Sequence, residues 1–139
     1  MGGELLARVL PTLANGSVTW TVQDESLVTH AAKIEKNELW LDPAVSALVN
    51  ERRVLASSNA APARCVLAGK PARVMRAVVA TGCDVEAGSL RIEGKRVYLG
   101  CADGVLELNA VKPDGKREME AAAWAAGQRE HELTWDRLS

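Results

Sequence analysis

Between Lys112 and Arg117 the chain reads Lys-Pro-Asp-Gly-Lys-Arg, three cations set around a tight turn. Such a turn is either a solvated loop tip or a contact for something anionic, since Lys and Arg both pair well with phosphate. Further cations fall at expected turns and strand ends: Arg52, Arg53, Arg64, Lys70, Arg73, Arg76, Lys95 and Arg96. Residues 52–117 carry twelve basic and six acidic side chains, residues 1–51 three and seven, and residues 118–139 two and five. The overall charge of −1 therefore conceals a basic middle between acidic ends. That asymmetry can steer a polyanion onto one surface.

Catalytic chemistry is poorly represented. His30 and His131 are the two histidines, and neither sits at ligand spacing from a second His, a Cys or a carboxylate pair. Cys65, Cys83 and Cys101 are odd in number and far apart, which gives no disulfide framework and no paired metal ligands. They read as reduced thiols of a cytoplasmic protein. Ser57-Ser58 lies outside any nucleophile elbow, and no phosphate-cradling or dinucleotide-binding glycine motif occurs. No catalytic residue, metal ligand or cofactor is assigned. Aromatic platforms for base stacking are also scarce. Phe is absent, Tyr98 falls in an expected strand, and Trp20, Trp40, Trp124 and Trp135 fall outside the expected barrel strands. An RNA bound here would be held by backbone and shape contacts rather than by base reading. No run of about 18 apolar residues occurs and the Met-Gly-Gly-Glu start lacks a signal-peptide layout, so no membrane partner is expected.

The elements that must position these cations follow from periodicity. Apolar residues at 5, 6, 9, 10 and 13 predict a helix over Glu4–Leu13, stopped by Asn15-Gly16. From Ser17 to Leu41 no period is sustained, and a loop of that length is unusual inside one domain. The helix and the linker are therefore expected to belong with a neighbouring domain. Asp42-Pro43 predicts the opening of a second helix whose inner face uses Val45, Leu48, Val49 and Val54-Leu55. Strands are predicted at 63–68, 71–80, 89–92, 96–101 and 104–111, the last two joined by Asp103-Gly104, a strong hairpin signal. Short strands so closely spaced suggest a small barrel, which a helix at about 119–126 closes, leaving 131–139 as a tail.

The segment from Gly104 to Gly127 resembles the closing part of the methionyl-tRNA formyltransferase family, Gly-x-Leu-x-Leu-x-x-x-x-Pro-x-Gly-Lys-(Lys/Arg)-x-Met followed by a small-residue helix ending in Gly. Gly104, Leu106, Leu108, Pro113, Gly115, Lys116, Arg117, Met119, Ala122, Trp124 and Gly127 match in register. Upstream, Gln23, Asp24, Ser26, Ala31, Lys33, Ile34, Lys36 and Asp42 resemble the family's interdomain junction, with His30 where the family has Tyr. Two places depart from the pattern: Ser-Ser-Asn-Ala-Ala-Pro replaces an Asn-Pro-x-Pro-Gly-Ala turn, and Glu120 stands where Ser or Thr often caps the last helix.

The resemblance implies a mainly β fold with flanking helices, an OB-like Greek-key barrel of five to six strands. It divides the chain into residues 1–41, the last helix of a catalytic domain plus linker, and residues 42–139, the barrel. It implies methionyl-initiator tRNA as partner and 10-formyltetrahydrofolate as the formyl donor of the parent enzyme. The catalytic N-terminal domain, acting in cis, then lies outside these residues, and the chain alone is inactive. The RNA-binding residues expected are Lys33, Lys36, Arg52, Arg53, Lys70, Arg73, Lys112, Lys116, Arg117 and Arg129. The alternative is a related formyltransferase acting on a nucleotide sugar or another non-RNA substrate, with the barrel as structural support. Clustered cations favour the first reading and scattered cations the second.

Overall fold

In the computed structural model, residues 2–130 and 132–139 are described. Met1 and His131 lie outside them, as does the exclusion of His131 as a ligand. Met1–Ala32 and Lys33–Ser139 are two separate compact units. In the first, helix α1 (Gly2–Ala14) extends past the predicted start, and Leu5, Leu6, Leu10 and Leu13 are exposed along it. Asn15 then accepts hydrogen bonds from the Ser17 amide and hydroxyl, which ends the helix where the sequence predicts.

The second unit is a closed six-stranded barrel. Strands β1 (Arg64–Leu67), β2 (Lys70–Ala80), β3 (Ser89–Glu93), β4 (Arg96–Gly100), β5 (Val105–Pro113) and β7 (Glu132–Asp136) form the ring β1-β2-β5-β4-β3-β7, every neighbour antiparallel. The two-residue β6 (Met119–Glu120) adds to β5. The turn between β1 and β2 works because Ala68 and Gly69 both take positive φ, +49° and +74°. Inward residues of alternate parity, among them Cys65, Leu67, Val74, Leu90, Val97, Leu99 and Leu106, fill the interior. In β5 a register irregularity opposite Met75–Arg76 flips that parity. Glu107 and Lys112 consequently both leave the core.

The structure corrects several expectations. The residues expected as a tail are strand β7, and it is this strand, between β1 and β3, that closes the ring rather than the helix. Trp135 consequently lies inside the barrel, buried, donating its indole N–H to the Gly100 carbonyl at 2.9 Å. Gly100 tolerates no side chain, since a Cβ there would meet the Glu86 carbonyl oxygen at 1.9 Å. The second helix, α2 (Ala47–Ala56), begins not at Asp42-Pro43 but after Ser46, whose hydroxyl accepts from the Val49 amide. Asp42 instead closes a local turn by accepting from the Ala44 amide. The inner face of α2 is Ala47, Asn50 and Val54, while Leu48, Val49 and Leu55 are exposed.

Helix α3 (Ala121–Ala125) packs Ala121, Trp124 and Ala125 into the core. Glu120 makes no capping hydrogen bond at its start and pairs with Arg76 instead.

Candidate nucleic-acid interface

Strand pairing gathers part of the predicted cation set. Lys70 opens β2, and Lys116 follows the β5 turn; both line one groove of about 380 Å³ whose floor includes Leu67, Met119 and Trp124. The turn is held in place by the Asp114 amide donating to the Pro71 carbonyl and the Lys116 amide donating to the Pro113 carbonyl. Gly115, at φ +74°, supplies the left-handed residue the reversal needs. On the other side of Pro113–Asp114 a second notch of about 200 Å³ is lined by Arg64, Arg73 and Lys112. Lys112, Lys116 and Arg117 are all exposed.

Other predicted residues stand elsewhere. Lys33 and Lys36 line a shallow depression formed by residues 33–37. The linker is fastened only after them: Leu39 and Leu41 are buried, and the Leu41 amide donates to the Arg64 carbonyl at 2.8 Å. Asn50, fully buried, accepts from the Asp42 amide and donates to the Asp42 carbonyl and to Cys101 Sγ. Arg53 donates to the Trp40 carbonyl at 2.8 Å, so this guanidinium clamps the linker. Arg52 is exposed on α2, and Arg129 is exposed after α3. From Lys36 to Leu41 the chain spans at most roughly 17 Å. That keeps the linker lysines within reach of the edge of β1 where Arg64 stands.

In the sequence Arg64 is one more cation at an expected strand end, outside the expected binding set. Its importance depends on register: Arg64 lies opposite Arg73 and Arg73 opposite Lys112, a row of three cations across β1, β2 and β5. Period-two alternation puts Arg64 and Arg73 outward and the irregularity against Met75–Arg76 turns Lys112 out beside them, but only the pairing shows that they meet.

The opposite arrangement occurs on β4 and β5. Arg96 forks onto both carboxylate oxygens of Glu107 (2.9 and 2.6 Å) and lies over the Tyr98 ring at 5.1 Å. The Arg96 hydrogen bond holds the Glu107 carboxyl below the usual carboxylate range, and Glu107 in turn pushes Arg96 up. Burial raises Tyr98, keeping it a phenol. Burial also pushes the Cys65 thiol up to about 12, and raises Cys101 against the opposing Asn50 hydrogen bond. Neither thiol is a nucleophile at neutral pH. Among the described residues no group of three or more His, Cys, Asp or Glu is placed to hold a metal ion.

Comparison with known proteins adds the following. The family described as formyl transferase, C-terminal domain, matches residues 33–129. A methionyl-tRNA formyltransferase of Halorhodospira halophila is 36% identical over 131 residues, 93% of this chain and 42% of that protein. One of Methylococcus capsulatus is 38% identical over 122 residues, 87% of this chain and 40% of that protein. The chain thus spans about two fifths of the length of the curated relatives it matches. Among solved structures, a variant of HypX from Aquifex aeolicus superposes with a TM-score of 0.71 at 19% identity, over 91% of this chain and 24% of that one. HypX in complex with tetrahydrofolic acid gives a TM-score of 0.69 at 19% identity, over 88% of this chain and 22% of that one. At that identity the likeness shows a shared fold.

Proposed function

The chain belongs to the formyl transferase C-terminal domain family, and from that membership we propose that it is the tRNA-binding part of a longer methionyl-tRNA formyltransferase acting in the cytoplasm. In this reading residues 1–41 are the last helix of a catalytic domain with its linker, and residues 42–139 are the barrel that holds methionyl-initiator tRNA. The formyl group would pass from 10-formyltetrahydrofolate to the methionyl amine within the preceding domain. In this reading the donor's site belongs to that domain; in this chain the carboxylate beside Trp124, Asp114, pairs with Arg64. No step is derived through the donor in this chain.

One observation carries the reading. Lys70, Arg73, Lys112 and Lys116 are gathered on both sides of Pro113–Asp114, with Arg117 next in the chain. A barrel serving only as support has no need to concentrate like charge. This reading also assigns to the RNA the linker cations Lys33 and Lys36, Arg52 on α2 and Arg129 after α3, which are further exposed cations of the chain. Arg53 contributes through the linker it clamps.

The test is binding of methionyl-initiator tRNA to the chain across a salt series. If four to five phosphates are neutralised, affinity falls by about two to three orders of magnitude between 50 and 200 mM salt. Replacing Lys33, Lys36 and Arg117 together by Ala lowers the affinity and flattens that salt dependence by about three phosphate contacts. An affinity indifferent to salt, or to the triple replacement, would favour the support barrel of a formyltransferase with a non-RNA substrate.

A further inference from the structure

The row Arg64–Arg73–Lys112 is costly as pure architecture. Residues directly opposite on paired strands have Cβ atoms about 4.5–5.5 Å apart, and like charges so placed are destabilising. Compensation is partial. Arg64 pairs with Asp114. Arg73 donates to Asn59 Oδ1 and to the Ser58 carbonyl, both at 3.0 Å. These bonds explain why two arginines hold the 58–59 loop and the 113–115 turn. They do not explain Lys112, which completes the row and pairs with no described residue. The Nε atoms of Arg64 and Arg73 are buried without a partner. Their terminal nitrogens carry the bonds instead, Arg64 to Asp114 in the notch and Arg73 to Asn59 and Ser58 beside it.

We propose that this notch is a phosphate cradle and that Asp114 is its internal placeholder. Resting on the reading above, the phosphate is a phosphodiester of the RNA backbone. On binding, the phosphate takes the position of the Asp114 carboxylate on Arg64 while Arg73 and Lys112 close on its other oxygens. The shape suits this exchange. Asp114 sits on a turn made stiff by Pro113 and reversed at Gly115, and its side chain is 56% exposed, free to swing into solvent. Arg64, at 28%, stays anchored. Three cations facing one carboxylate leave the notch positive, the charge state an incoming phosphate needs.

Two measurements test the cradle. In the first, inorganic pyrophosphate is titrated into the chain while the arginine Nε–H resonances are followed. Signals of Arg64 and Arg73 move, and that of Arg96, already neutralised by Glu107, does not. In the second, tRNA affinity is compared between the wild type and Asp114→Asn. Removing the competing charge tightens binding roughly tenfold at 0.1 M salt, the worth of one released phosphate contact. Arg64→Gln weakens binding and abolishes the gain in the double variant. Salt-dependent tRNA binding that is unchanged by Asp114→Asn, with arginine signals indifferent to pyrophosphate, overturns the cradle and leaves the tRNA reading intact. Movement of the Arg64 and Arg73 signals in a chain that binds no tRNA supports the cradle, assigns it to a small phosphate-bearing ligand, and overturns the tRNA reading.

Discussion

Two faces of the same barrel treat charge in opposite ways, and β5 runs through both. Towards its start, Glu107 receives the Arg96 fork and the pair lies against Tyr98. Towards its end, Lys112 faces Arg73, which faces Arg64. The first face satisfies itself and contributes to folding. The second holds a loop and a turn with two of its cations and leaves a third, Lys112, with no partner among the described residues. Charge spent on stability is paired within the chain, whereas charge reserved for a partner is left in rows of one sign. The contrast also separates two kinds of arginine that composition alone makes equal.

The largest effect comes from severing the strand that joins the faces. β7 lies between β1 and β3, and Trp135 is its buried anchor. Trp135→Ala removes an aromatic core residue and its hydrogen bond to Gly100, and costs about 3–5 kcal/mol. Denaturant unfolding of the variant measures this. Because the ring opens between them, both faces fail together. A variant that kept the Arg96–Glu107 face folded while losing the cation row would show that the faces are separate cooperative units.

The next effect separates folding from binding. Lys112→Glu puts a carboxylate opposite Arg73, replacing a like-charge pair with an opposite one. Thermal stability rises by a few tenths of a kcal/mol. Affinity for initiator tRNA falls about tenfold at low salt, and the slope of log affinity against log salt shrinks by about one. A rise in stability accompanying a loss of binding is the signature of surplus charge. A fall in stability instead would place Lys112 among the paired residues of the first face.

How much of this was readable beforehand follows from which interactions are local. The β1–β2 turn at Ala68-Gly69 and the Asp103-Gly104 hairpin are dictated by backbone demands within a few residues, and the sequence exposes them. Lys116 and Arg117 are marked by the motif around them. Strand β7 carries the period-two pattern itself, Leu133 and Trp135 alternating with Glu132, Thr134 and Asp136, but five residues that far from their partners do not reveal a place in the ring. Its structure comes from two distant neighbours, β1 and β3. The start of α2 is not legible because Asp42 caps a local turn as readily as a helix, and buried Asn50, eight residues on, grips its backbone. Arg64 was visible as a cation but not as a member of a row. That membership depends on two registers and on a bulge at Met75–Arg76.

The smallest effect tests the self-satisfied face by pH. Glu107→Gln removes one half of a forked ion pair whose arginine is largely exposed, so its cost at pH 7 is about 0.2–1 kcal/mol. The Arg96 hydrogen bond holds the folded carboxyl below its ordinary value, so the contribution of Glu107 is present above the unfolded pKa. It disappears as pH falls through the lower, folded pKa. Wild type and variant should therefore differ in stability at pH 7 and converge in acid, starting below about pH 5. Urea unfolding at a series of pH values measures that convergence. A difference persisting undiminished at pH 3 would mean that Glu107 acts by packing, and the charge contrast between the faces would lose one of its two sides. Affinity for tRNA, which depends on the other end of β5, should not change with this substitution at any salt concentration.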